Sequence, residues 1–283
     1  MHEEQKTLSG FNVPTREESK FDYELLNALG CLRMLNFAQI LYVGRKLAEI
    51  SDDDAYNILW RNKQTVRNDK IISRLRVMLS KNWIVPWRMW DVDTYLTRVP
   101  GTPPTMPGTF YYLGVDGKKH LLENLKTRTL HRRVDDIYVG AFPVAQWVTG
   151  SVCALTLAHA GYILESVAQL YSTKIDVPIP KLHPDFLVRK DDLRVAGYVV
   201  GSPFPQQLDR YVGNIAKALA VLPADTKAVV ITRTETAFRS VSAALLEKAA
   251  MQHVNQIYVT DLNPFYRQNG HSACINDKGK FVL

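Results

Sequence analysis

Cysteine is scarce in this chain: 3 of 283 residues, Cys31, Cys153 and Cys274, far apart and odd in number. That spacing offers neither a structural zinc site nor a disulfide framework, and it suits a reducing compartment, so a cytoplasmic location is expected. None of the 7 histidines stands as His-x-His or His-x-x-x-His, which argues against a relaxase built on a histidine triad. No Gly-x-x-x-x-Gly-Lys segment is present to cradle phosphates, and no Gly-x-Ser-x-Gly segment to hold a nucleophilic serine. Long apolar runs are lacking too. The N-terminal segment has no apolar stretch of the signal type, so no secretory leader is expected. The most apolar stretch, "FPVAQWVTGSVCALTLAHAGYILESVA", is interrupted by Pro143, Gln146, Thr149, Gly150 and His159. It reads as a buried helix rather than a membrane span, and no membrane partner is expected.

What is present has the balance of a globular protein, 46% hydrophobic and 22% charged, with room for one large domain or two of ordinary size. The net charge of +7 points to an anionic partner. This charge is concentrated. Between Tyr56 and Arg88 stand Arg61, Lys63, Arg67, Lys70, Arg74, Arg76, Lys81 and Arg88, opposed only by Asp69, so this segment alone carries +7 and the remainder of the chain sums to zero. A basic block is often just a solvated face, but the pattern inside this one is specific.

In "DKIISRLRVMLSKNWIVPWRM", Ile71, Ile72, Leu75, Met78 and Leu79 recur at helical spacing and make one apolar face, with Lys70, Ser73, Arg74 and Val77 opposite. The helix is expected to stop near Asn82. "WIVPWRM" then reads as a strand, with Pro86 pointing to a sheet edge. A polar segment rich in Pro, Gly and Thr, "DVDTYLTRVPGTPPTMPG", reads as a long loop, and "TFYYLGVDGKKHLLENL" as a strand, a turn at Val115-Asp116-Gly117 and a helix start. Two earlier helices, "EESKFDYELLNALG" and "NFAQILYVGRKLAEI", precede a shorter one in "DDDAYNILWRNKQ", whose acidic start suits a helix N-terminus. Helix, strand, long loop, strand is the outline of a winged helix-turn-helix. Such a helix enters the major groove of duplex DNA, about 12 Å wide, while basic groups around it hold phosphates. The candidates for base edges are Lys70, Ser73 and Arg74. Arg61, Lys63, Arg67, Arg76 and Lys81 are candidates for phosphates, and Arg88 and Arg98 for the backbone or minor groove. A winged helix used for protein contacts is the alternative.

A polar, basic stretch, "LKTRTLHRRVDD", marks a boundary near 128 to 132, giving a winged-helix domain over 15–128 and a second domain over 131–283. In the second, helices over "FPVAQWVTGSVCALTLAHAG", "PQQLDRYVGNIAKALAVL" and "ETAFRSVSAALLEKAAMQH" alternate with strands over "YILES", "KAVVIT" and "NQIYVTDL". A hairpin joins "DFLVRK" to "LRVAGYVVG" around Lys190-Asp191-Asp192. The expected class is α/β, α+β overall, with a mixed sheet. This order, with Pro184-Asp185 on the hairpin, matches the core of PD-(D/E)XK nucleases. Those enzymes need about three groups around one or two divalent metals, and carboxylates suit Mg²⁺, which activates water and neutralises developing phosphate charge. Glu165 and Asp185 are the candidate carboxylates. Where Glu-x-Lys would stand, the second hairpin strand has Ala196, Gly197, Tyr198, Val199 and Val200. The expectation is therefore a degenerate nuclease fold with no catalytic residue and no cofactor; the alternative is a nickase using Asp185 with Mg²⁺. His131, His159 and His183 read as structural, as do Tyr198 and Tyr211; Tyr266 is a further tyrosine that a covalent mechanism would have to consider.

"ISRLRVMLSKNWIVPW" followed by "TFYYLGVDGKKHLLENL", His131, "HPDFLVR" and "QLDRYVGNIAKAL" together resemble the replication-relaxation family of plasmids and conjugative elements, over most of the chain. The resemblance implies a winged helix joined to a nuclease-like domain, and a role in replication, mobilisation or transcriptional control. It departs at the second hairpin strand, where relatives carry a Glu that is absent here. The partners it implies are double-stranded DNA and a replication or transfer protein, and a homodimer is compatible with it.

Overall fold

The computed structural model of the protein describes residues 16–47, 49–61, 69–88, 109–123, 141–167, 182–200, 205–262, 265, 273–276 and 279–282. These form a mixed α/β structure with two sheets. Helix α1, Arg16–Leu32, begins with Glu17 and Glu18 where the helix dipole favours acids. It ends at Arg33, whose backbone turns into the left-handed region at φ 62°. Strand β1, Leu35–Asn36, leads directly into α2, Phe37–Lys46. Asn36 and Gln39 cap α2 reciprocally: the Asn36 side chain accepts from the Gln39 amide at 2.9 Å, and the Gln39 side chain from the Asn36 amide at 2.8 Å. Helix α3, Asp52–Arg61, carries three aspartates in its first turn, and α4 runs over Asp69–Ser80.

Strands β2, Ile84–Arg88, and β3, Thr109–Leu113, pair antiparallel, with β1 on the far side of β3. Pro86 thus sits on the edge strand of the order β1-β3-β2, where a missing N–H costs least. Helix α5, Val115–Glu123, starts where a turn was expected. The helix takes up Gly117 because only glycine fits there: a Cβ would lie 2.0 Å from the Trp83 carbonyl oxygen.

The larger sheet is built on α6, Ala141–His159, which Gly161 terminates at φ 93°. Its strands are β4 (Ile163–Glu165), β5 (Phe186–Lys190), β6 (Leu193–Val200), β7 (Thr226–Thr232), β8 (Ile257–Asp261), β9 (Ala273–Asn276) and β10 (Gly279–Val282). They lie in chain order across the sheet. The β4, β5 and β6 strands are antiparallel, β6, β7 and β8 are parallel, and β9 and β10 close the sheet antiparallel. The two parallel crossovers are α7, Pro205–Leu219, and α8, Glu235–Glu247. The short β1 and the β9–β10 hairpin were not anticipated from sequence.

Side-chain alternation divides the core. Leu187, Ala196, Tyr198 and Val230 face α7 and α8, with Val212, Ile215, Val241 and Leu245 packed against them. Phe186, Val188, Val195, Val199 and Ile231 face the other way, onto α6. That second cluster continues without a break through Val148, Val152 and Leu155 of α6 to Leu25, Leu29, Tyr42, Ile58 and Trp60 of the N-terminal helices. This explains why α6 is apolar all round: it is covered by helices on one side and a sheet on the other. Each such buried side chain contributes about 1.5–3 kcal/mol. Polar ties run along the same seam. Gln39 Nε2 donates to the Val148 carbonyl at 3.2 Å, Trp60 Nε1 to Thr156 Oγ1 at 3.0 Å, and Lys46 Nζ to the Ala158 carbonyl at 3.1 Å. Among the described residues no helix is long and apolar enough to cross a membrane.

Candidate functional site

Helix α4 presents Lys70, Ser73, Arg76 and Ser80 to solvent, and Lys81 follows in the exposed turn. Arg74, expected on the same face, points inward. It belongs to the buried stripe with Ile71, Leu75 and Met78, and is only 8% exposed. Its Nε donates to Asp22 Oδ1 of α1 at 2.7 Å and its Nη2 to Asp22 Oδ2, so the planar guanidinium grips both carboxylate oxygens. Asp22 is 1% exposed, and a carboxylate so deep requires a paired cation. Arg74 is therefore withdrawn as a base contact: it fastens α4 to α1. The sign in the sequence is Asp22 itself, an acid set among Phe21, Leu25, Leu26 and Leu29 on the apolar side of α1.

The other candidate cations are distributed around α4. Arg61 is exposed at the end of α3, its guanidinium 5.2 Å from the Tyr56 ring centre. Lys81 lies 4.6 Å from the centre of the Trp83 ring, and His120 of α5 stacks on that indole at 3.7 Å. Burial and the nearby Lys81 and Arg74 charges hold the His120 imidazole below its ordinary pKa, with Asp22 opposing them. Arg88 ends β2. Lys63, Arg67 and Arg98, the loop expected over 91–108, the boundary near 128 to 132 with His131, and Tyr266 lie outside the described residues. Exposed Lys119 on α5 adds a cation that the sequence reading did not single out. His159 pairs with Asp52 of α3 at 2.9 Å.

Asp185 and Glu165, the two candidate metal carboxylates, are not brought together. Asp185 directly precedes β5, is 5% exposed and packs toward α6: a Cβ added at Gly150 would lie 3.0 Å from the Asp185 Cβ. Gln146 Nε2 donates to its Oδ1 at 3.1 Å and to its Oδ2 at 3.0 Å, and the Val199 amide donates to Oδ2 at 2.8 Å. Burial raises its pKa, while the Arg33 charge and the hydrogen bonds from Val199 and Gln146 pull it down. Glu165 stands opposite Leu187, a residue of the other sheet face, and is held by Arg189 Nε at 2.9 Å and Arg194 Nε at 2.6 Å. Arg194 also reaches Asp225 at 3.1 Å.

The space beside Gly197 of β6 is filled. A Cβ on Gly197 would lie 2.1 Å from the Phe186 ring, so no longer side chain fits without displacing that ring. Among the described residues no group of three or more His, Cys, Asp and Glu could hold a metal ion. The donor set around Asp185, a carboxamide N–H, a backbone N–H and an arginine charge, satisfies an anion and does not fit a divalent cation. Tyr211 lies near enough to Asp185 to feel its charge, and burial raises its pKa well above the ordinary value, which leaves the phenol un-ionised and a poor nucleophile. No protein-family model matches the chain, and no curated protein or solved structure matches it either.

Proposed function

We propose that this protein binds duplex DNA through the exposed face of α4, with Lys70 and Ser73 toward base edges and Arg76, Lys81 and Arg61 toward phosphates. The single observation that carries this is the split of α4 into a buried stripe pinned by Arg74 and an exposed stripe of Lys70, Ser73 and Arg76, opening into Lys81. Support also comes from the setting. A helix leading into an antiparallel β2–β3 pair, with β1 adding a third strand, is the arrangement expected of a winged helix-turn-helix.

In the same proposal the larger sheet is a degenerate PD-(D/E)XK core. The succession α6, β4, β5, β6, α7, β7, antiparallel through β6 and parallel from β6 to β7, agrees with that topology. The filled space at Gly197 and the divided carboxylates argue for assembly or an added DNA contact in place of hydrolysis. A role in replication, mobilisation or transcriptional control of a mobile element is the setting that the family resemblance implies.

The test is an electrophoretic shift with mixed-sequence duplexes at low salt. A shift that Lys70→Ala and Arg76→Ala weaken is expected; no shift with any duplex would sink the proposal. For the competing nickase, cleavage in Mg²⁺ or Mn²⁺ that Asp185→Ala abolishes would restore catalysis to that carboxylate.

A further inference from the structure

Trp83 stands where α4, β2 and α5 meet, and three basic side chains share its indole. Lys81 Nζ lies 4.6 Å from the ring centre and the Arg74 guanidinium 5.9 Å from it. The His120 imidazole stacks on the same ring at 3.7 Å, with 14° between the planes. Backbone packing holds α5 in this place. The chain leaves α4 through Asn82, left-handed at φ 54°, and the Gly114 amide donates to the Trp83 carbonyl at 2.8 Å. A Cβ on Gly114 would lie 2.1 Å from the Asn82 carbonyl oxygen, and one on Gly117 2.0 Å from that of Trp83. Helix α5 therefore sits directly on the turn after α4 and carries His120 onto the indole.

The three side chains differ in what balances them. Arg74 is buried and gripped by Asp22. Lys81 is exposed and makes no ion pair among the described residues, so it is the charge of this group that an anion can reach. His120 is half-buried. The charged groups that face it from the neighbouring elements are Asp22 of α1, Arg74 of α4 and Lys81 of the turn. Burial holds the imidazole below its ordinary pKa; Asp22 opposes this, and Lys81 and Arg74 reinforce it. A proton on His120 would bring a second positive charge to the indole that Lys81 already shares, and like charges at that range repel. A phosphate oxygen seated on Lys81 offsets that repulsion.

We propose that duplex binding at Lys81 and protonation of His120 are linked: a phosphate on Lys81 draws a proton from solvent onto His120, and acid tightens the complex. This rests on the reading of α4 as the duplex-binding face and adds a regulation to it. Linkage is reciprocal, so the factor by which the proton raises duplex affinity is the factor by which the duplex raises proton affinity. The complex holds the proton to a higher pH than the free protein does. Duplex affinity therefore rises as the pH falls from about 7.5 to about 5.5, the range around the ordinary imidazole value.

The test is the affinity of a labelled mixed-sequence duplex, by fluorescence anisotropy at constant ionic strength, at both ends of that range. His120→Phe keeps a ring on Trp83 and binds no proton, and Lys81→Met removes the phosphate contact. On acidification the wild type is expected to gain about 5-fold more affinity than either variant, the low end for linked sites because Lys81 is exposed. The excess should shrink at high salt. An equal gain in the wild type and His120→Phe would overturn the linkage. A second arm needs no variant: in an NMR titration of the wild-type chain, the His120 ring signals should titrate at higher pH with duplex bound than without it, and an unmoved titration would also overturn it. The two failures are distinguishable. A wild type that binds no duplex at either pH sinks the reading of α4 and the linkage with it, whereas duplex binding that Lys70→Ala weakens, with His120 unresponsive, sinks the linkage alone.

Discussion

Arg74→Ala is expected to destabilise the protein by about 3–5 kcal/mol, because it leaves the Asp22 carboxylate buried without its cation. The magnitude follows from the depth of both partners: Asp22 is 1% and Arg74 8% exposed, so water does not take over the lost hydrogen bonds. A solvent-exposed pair would be worth at most about 1 kcal/mol. Measured by urea unfolding, the loss corresponds to a midpoint lower by about 1–2 M. Because the pair is buried, the loss should persist at high salt, where surface pairs are screened. Asp22→Leu combined with Arg74→Met should recover most of it, since an apolar pair of similar volume removes both charges together. Duplex affinity per folded molecule should change little in the double variant. If Arg74→Ala unfolds at the wild-type midpoint and yet weakens DNA binding by about 1–3 kcal/mol, the arginine faces the groove and the inward placement is refuted.

Gly197→Ala should cost about 1–3 kcal/mol through overpacking against Phe186, with partial relief from Phe186→Leu; a neutral Gly197→Ala would show that the ring can give way. Because His120 is held below its ordinary pKa, the folded state disfavours its protonation, so its contribution is fully present above about pH 6.5 and is lost progressively as the pH falls below that value and through the lower folded-state pKa. The unfolding midpoint should therefore drop more steeply between about pH 7 and 5.5 in the wild type than in His120→Phe, which keeps the stack on Trp83; identical slopes would contradict this. Burial pushes the Cys31 thiol up to about 12 and the Cys153 thiol higher still. Both should resist a thiol reagent in the native state and react only on unfolding. Rapid native labelling of either would disagree with their burial.

Much of the architecture could be read directly from the sequence. Periodicity located α4 and the amphipathic α7, continuous apolar runs located β7 and β8, and Asp191-Asp192 marked the hairpin, where Asp191 indeed takes the left-handed turn at φ 51°. The two-residue β1 has too few positions to show a period, and the β9–β10 hairpin is signalled only by the polar residues between Asn276 and Gly279.

At the candidate site, helical spacing alone put Arg74 opposite Leu75, whereas 71, 74, 75 and 78 share one side as naturally as 71, 75 and 78 do. What decides between them is Asp22, 52 residues away, and no local pattern carries that information. Asp185 could be singled out from its proline, but its environment could not. Gln146 is 39 residues distant, and the role of Gly197 depends on the ring of Phe186 across the hairpin. A polar residue inside the most apolar helix was the available clue to Gln146.

The central claim, that the exposed face of α4 meets duplex DNA, is tested most directly by the salt dependence of duplex affinity for the wild type and for Lys70→Glu with Arg76→Glu. Each phosphate contact contributes a slope of about 0.9 in log K against log salt. The double variant should bind more weakly and lose about 1 unit of slope for the Arg76 phosphate contact, the Lys70 change adding a loss of affinity at the base edge, with its unfolding midpoint unchanged, since both side chains are exposed. Equal affinity and equal slope in the two proteins would contradict the account.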